Sequence, residues 1–85
     1  MAFILEIKRK ARKSLNNISK PYRSRIIAKL DEIVANPFFG KALSGNRKGQ
    51  YSVRVWPYRI VYIVRKLELI IVVVEVDHRG HIQDY

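Results

Sequence analysis

The stretch YSVRVWPYRIVYIV, residues 51–64, alternates apolar and polar side chains before Trp56-Pro57 and runs almost wholly apolar after Arg59. Period-two alternation marks a half-buried strand and a short apolar run a more buried one, and a proline between two strand-like runs marks a turn. The stretch therefore reads as the two strands of a hairpin. Successive side chains of a strand point to opposite faces, so Tyr51, Val53 and Val55 share one face with Ile60, Tyr62 and Val64. Ser52 and Arg54 lie on the other. A loop centred on Trp56-Pro57 pairs Val53 with Ile60 and Arg54 with Arg59. Like charges directly opposed across two strands destabilise a sheet. A fold has no need of that pair, which makes it the first candidate for function.

Outward from the hairpin, the segments on both sides read as regular structure. FILEIK (3–8) has the pattern of a short first strand. Ile7, Ala11, Leu15 and Ile18, three to four residues apart, trace the buried stripe of a basic helix, which Asn16, Asn17 and Ser19 break. Pro21 opens a second helix, where its missing N–H costs nothing. Ile26, Ile27, Leu30, Ile33 and Val34 form its stripe, and Asn36-Pro37 ends it. FFGKALSGNRKGQ (38–50) reads as loop, with Phe38 or Phe39 and Leu43 as anchors. Beyond the hairpin, Arg65-Lys66-Leu67-Glu68 turns the chain into LIIVVVEV (69–76), an almost wholly apolar run. Such a run suits a strand covered on both faces near the middle of a sheet. The polar tail DHRGHIQDY (77–85) leaves it. The order β-α-α-β-β-β predicts an α+β fold, with both helices packed on one face of a small, mainly antiparallel sheet.

The 85 residues form a single domain, 1–85. The chain has no cysteine, hence no disulfide scaffold and no thiolate zinc site, which suits a reducing cytoplasm. The apolar run of MAFILEIKRK is too short for a secretory signal, with its charges on the wrong side. No segment approaches the roughly 20 apolar residues that span a bilayer. The strongest global feature is charge: 17 Lys and Arg against 7 Asp and Glu, a formal +10. That imbalance points to a polyanionic partner, either nucleic acid or an acidic protein.

Arg54 and Arg59 lie on the face away from the helices, expected to be open, and the tail can bring His78, Arg79, His81 and Tyr85 near them. Lys41, Arg47 and Lys48 in the preceding loop can rim the same surface. Clustered guanidiniums match the bidentate geometry of phosphate, whose charge relieves their repulsion. The other reading gives each arginine a carboxylate, Glu75 or Asp77, and makes the pair a holder of the sheet edge. The scarcity of acidic residues favours the anion site. Arginine stays protonated at physiological pH, so proton transfer falls to another group. An unperturbed imidazole changes charge near neutrality, which makes His78 and His81 candidates for general acid or base work, and a positive field can lower the phenol of Tyr85. Glu75-x-Asp77-His78 lacks the second acidic cluster a Mg²⁺ nuclease needs. The glycines fit no phosphate loop, and no serine lies in an elbow motif. No cofactor or metal is expected. The basic run Lys8, Arg9, Lys10, Arg12 and Lys13 is most simply a solvated helix face; docking on ribosomal RNA is its other use.

The element order, the approach ALSGNRKGQYSVRV (42–55), the strand YRIVYIV (58–64) and the ending VVEVDHRGHIQDY (73–85) together resemble the RelE/ParE superfamily of toxins from toxin–antitoxin pairs. The resemblance spans nearly the whole chain. RelE-like members are ribosome-dependent endoribonucleases that cut mRNA in the decoding site, so it implies metal-independent attack of a ribose 2′-OH on the adjacent phosphate. It also implies a cognate antitoxin, with an acidic or amphipathic segment wrapping the basic surface. The basic positions of the first hairpin strand fall on Ser52 and Arg54. The arginine of the tyrosine–arginine pair falls on Arg59, and the one after the last strand on Arg79. Tyr85, six residues further on, stands where the ribonuclease branch has its active-site tyrosine. Two departures count against a simple transfer. Ser52 replaces a basic residue, and the His78-Arg79 pair is also seen in members that are not nucleases. ParE-like relatives inhibit DNA gyrase on the same fold, which makes gyrase inhibition, or non-enzymatic nucleic-acid binding, the alternative function. Strand parity counted from Arg59 sends Val74 and His78 to the arginine face, so Arg79 reaches it only if the strand ends near Asp77 or a bulge re-aims the tail.

Overall fold

The computed structural model describes residues 3–78. Within them the chain forms β1 (Ile4–Ile7), α1 (Arg9–Asn16), α2 (Lys20–Ala35), β2 (Lys41–Ala42), a 3-10 turn (Gly45–Arg47), β3 (Gln50–Val55), β4 (Tyr58–Arg65) and β5 (Ile70–His78). The five strands lie in the order β1-β5-β4-β3-β2. β1 runs parallel to β5 and every other neighbour is antiparallel. The fold is α+β, two helices on a mixed sheet.

Between β3 and β4 the expected register holds, with Val53 opposite Ile60 and Arg54 opposite Arg59. The intervening Trp56-Pro57 peptide is cis. Val53, Val55, Ile60 and Tyr62 meet Ala11, Leu15 and Ile18 around α1, and Ile26, Leu30 and Ile33 of α2, in one core. The apolar run of β5 is covered as anticipated: Ile71, Val72 and Val73 are 0–2% exposed.

Three details depart from the sequence reading. Ile7 ends β1 rather than joining the helix, and α1 starts two residues later. Ile27 is 47% exposed, because one helical step from Ile26 turns a side chain about 100° away from the core. The 38–50 segment is not all loop. Lys41–Ala42 pair with β3, and the Leu43 N–H donates to the Gln50 carbonyl at 2.9 Å. Gly45 and Gly49, both at positive φ, let the chain reverse there and carry Arg47 at the turn.

Tyr62 ties the end of α2 to the sheet. Its hydroxyl donates to the Pro37 carbonyl at 2.7 Å. A Cβ on Gly40 would stand 2.5 Å from that hydroxyl, so only glycine fits there without a shift. Burial pushes the Tyr62 phenol above its ordinary pKa, against a smaller downward pull from the Gly40 N–H.

β4 and β5 slip by one residue between Val61 and Tyr62: Val61 faces Glu75 and Tyr62 faces Val73. Val74 is the extra residue of a β-bulge. Past the bulge the parity of β5 reverses. Val76 turns to the helix core, while Glu75 and Asp77 turn to the opposite side, across from Val61 and Arg59.

Candidate functional site

Register alone assembles the arginine face. Residues directly opposite each other share a face, so one row across the sheet reads Lys41, Ser52, Val61, Glu75 and the next reads Arg54, Arg59, Asp77. The rows lie two residues apart, roughly 7 Å. Lys41 thus joins the arginines by position, as expected, and is exposed. The face is not open, however. Arg59 and Ser52 are each 8% exposed, Val61 is 0% and Val72 is 2%; Arg54 is exposed. Asp77 across from Arg59 gives the second row one negative charge against two positive ones. Arg54 has no ion pair among the described residues.

Arg47, expected at the rim of the anion site, is tied to a carboxylate. Its guanidinium forks onto Glu75, with Nη1 3.0 Å from Oε1 and Nη2 donating to Oε2 at 3.0 Å. Nη1 also donates to Gln50 Oε1 at 3.0 Å, and its approach to Glu75 Oε1 is ionic rather than an aligned hydrogen bond. Lys10 reaches the same carboxylate at 3.9 Å. Of the two carboxylates weighed for Arg54 and Arg59, Glu75 is thus held by Arg47, whose loop crosses β3 and β4 to lock onto β5, while Asp77 stands opposite Arg59. Residues 28 apart in sequence give no local signal of this pair.

His78 also departs from expectation. The bulge sends it to the helix side, where its ring meets Tyr58 edge-on at 5.6 Å, and Tyr58 in turn meets Tyr22 at 5.7 Å. With Ser14, Asn17, Ile18, Tyr58, Val76 and Asp77 it lines a cleft at the end of α1. The strand separates its imidazole from Arg54 and Arg59. The backbone N–H of His78 donates to Asp77 Oδ1 at 2.8 Å. Lys48 is exposed in the loop after the 3-10 turn. Arg79, His81 and Tyr85 lie outside the described residues. Among the described residues no group of three His, Cys, Asp or Glu side chains stands together, and no helix is long and apolar enough to cross a membrane.

Solved structures share this architecture. The RelBE2 toxin–antitoxin complex of Mycobacterium tuberculosis matches at 22% identity over 93% of this chain and 100% of that one, with a TM-score of 0.85. The intact RelBE complex of E. coli matches at 22% over 91% and 96%, TM-score 0.80. A YoeB/ParE toxin from Agrobacterium tumefaciens matches at 18% over 89% and 98%, TM-score 0.80. At these identities the likeness is one of fold. No curated protein sequence matches. The family model for the ParE toxin of type II toxin–antitoxin systems matches residues 5–83, from the first strand through the tail. On that match the chain belongs to the ParE toxin family of type II toxin–antitoxin systems, within the RelE/ParE superfamily.

Proposed function

We propose that this toxin is a metal-independent endoribonuclease that cuts mRNA in the ribosomal decoding site and so stops translation. The observation carrying the reading is Arg54 directly opposite Arg59, a like-charge pair that costs the fold stability and that a phosphate between them would relieve. In this reading the ribose 2′-OH attacks the adjacent phosphorus and the 5′ oxygen leaves. The products are a 2′,3′-cyclic phosphate and a 5′-OH. Arg54, Arg59 and Arg79 stabilise the charge that develops on the phosphoryl oxygens, a contribution worth roughly 3–4 kcal/mol per preorganised donor. Lys41 adds a cation one row away, and Lys48 and His81 contact the RNA on either side of the cut. Tyr85 handles the proton of the 2′-OH. His78, with its ring against Tyr58, takes no part in that transfer.

The cognate antitoxin covers the arginine face with an extended acidic or amphipathic segment. The RelBE2 and RelBE structures are toxin–antitoxin complexes, and a +10 chain attracts such a segment over long range. A target on the ribosome puts the toxin in the cytoplasm.

A second reading has two observations in its favour. The matching family model describes ParE, and Ser52 stands where the nuclease branch carries a basic residue. In that reading the same basic face grips DNA gyrase without chemistry. Programmed ribosomes and a supercoiling assay separate the two. New 5′-OH ends in the decoding site, formed equally with EDTA present, support the nuclease. Intact mRNA together with blocked supercoiling overturns it.

A further inference from the structure

The densest charge on the molecule lies away from the sheet face. Between residues 7 and 30 the sequence holds nine basic residues, Lys8 through Lys29, and none of the chain's 7 acidic ones. Lys8, Arg9, Lys10, Arg12 and Lys13 fall in one run at the start of α1, and all five are exposed. The helix turns Ala11 and Leu15 into the core, at 0% and 7% exposure, so its period carries the cations outward. Of the five, only Lys10 has an ion pair among the described residues.

Local energetics oppose this arrangement. Lys8 with Arg12 and Arg9 with Lys13 are four apart, a spacing at which like charges repel on a helix. Cations in a first turn also oppose the helix dipole. Neither α1 nor α2 has an acidic residue in its first turn, and neither Lys8 nor Ser19 makes a side-chain cap. α2 repeats the pattern with Lys20 and Arg23 in its first turn. An eight-residue helix has no surplus of intrinsic stability to absorb such repulsion.

We propose that the outward face of α1, with the first turn of α2, is a second docking surface that grips the phosphate backbone of structured RNA. The apolar side of α1 is already used in the core, so its outward side offers charge alone. That excludes an amphipathic helix lying in a membrane, which needs a free apolar face. It fits a stiff polyanion, because phosphate contacts position a protein without reading sequence. Over eight residues α1 spans about 12 Å, enough for several phosphates. The choice of RNA rests on the nuclease reading of the arginine face; the choice of a phosphate backbone does not.

The test uses the full chain with Arg9, Arg12 and Lys13 all changed to Gln. Binding to a blunt RNA duplex, with no strand to cut, is measured from 50 to 200 mM salt. The slope of log affinity against log salt should fall by about 2–3, and affinity at 0.1 M by on the order of 10²-fold. Arg54→Gln should change that slope by no more than about 1. The melting temperature of the triple variant should equal or exceed that of the parent, since repulsion is removed and the core untouched. An unchanged slope in the triple variant overturns the proposal. So does tighter binding to the DNA duplex of the same sequence, or an equal loss for polyglutamate with none for RNA. mRNA cleavage on ribosomes is scored separately: a protein that never cuts mRNA but shows the slope change loses the nuclease reading and keeps the docking surface.

Discussion

Replacing Arg54 with Gln should stabilise the free toxin, against the usual direction for a point substitution. Arg54 and Arg59 are direct cross-strand partners, so their Cβ atoms lie roughly 5 Å apart. If the guanidiniums splay to roughly 6 Å, Coulomb repulsion is about 0.7 kcal/mol in water and about 3 kcal/mol at an effective dielectric of 20. Arg54 is exposed, which holds the value near the lower figure. Asp77 on the far side of Arg59 offsets part of the remainder. A net gain of about 0.5–1 kcal/mol is expected, a rise in Tm of about 3–6 °C for a chain this size. Arg54→Lys, which keeps the charge, should give no such gain. The difference between Arg54→Gln and parent should shrink towards zero in 1 M salt, where the Debye length is about 3 Å. Thermal melts at low and high salt decide the matter. A lower Tm for Arg54→Gln, or a difference indifferent to salt, would refute the claim that the pair is strained when empty. In the nuclease reading the same variant loses about 10²–10³ in cleavage rate, so stability and activity move in opposite directions.

Three further perturbations follow from particular contacts. Tyr62→Phe removes the donor to Pro37 O and should cost about 1–2 kcal/mol, a drop of about 5–10 °C by calorimetry. Because burial raises the Tyr62 pKa, its contribution is complete below about pH 10 and is lost as pH climbs through the folded value; that part of the alkaline decline should vanish in Tyr62→Phe. Arg47→Ala strands Glu75 in a half-buried site, where the two side chains are 26% and 20% exposed. It should cost about 1–2 kcal/mol, between surface and buried pairs, with much of the loss recovered by adding Glu75→Gln in urea unfolding. Tyr85→Phe should lower single-turnover cleavage by about 10²–10⁴ while ribosome binding holds; an unchanged rate beside a large loss for His81→Ala would move the proton transfer to His81.

What could be read from the sequence was what is encoded locally. The β3–β4 hairpin is a period-two run and an apolar run on either side of one turn, and its register follows from where the turn sits. The two helices follow from their apolar spacing and from Pro21 and Pro37. The parallel pairing of β1 with β5 brings Ile4 to Ile70, and nothing near either segment encodes it. β2 is two residues long, shorter than any periodicity can register. Helical phase was legible only to within a step, which is why Ile27 reads as core beside Ile26 and stands exposed.

The candidate site divides along the same line, and the bulge at Val74 shows why. A skipped residue is visible in a strand only where polar and apolar side chains alternate, since two neighbours then break the pattern. From Leu69 to Val74 every residue is apolar, so the skip leaves no trace, and counting parity from Arg59 sends His78 to the wrong face. Past the bulge the pattern returns: Glu75 and Asp77 are polar, with Val76 buried between them. Counted backwards from those carboxylates instead of forwards from the turn, the parity is correct. It puts Asp77 beside Arg59 and His78 on the helix side, as the register does. The same substitution of partners explains Arg47, whose carboxylate stands on the residue just past the bulge. Without the skip, position 75 would face the helices and Arg47 would have no carboxylate to cross to. One extra residue in β5 thus decides which cations on this face are tied to protein and leaves Arg54 as the exposed arginine set against Arg59.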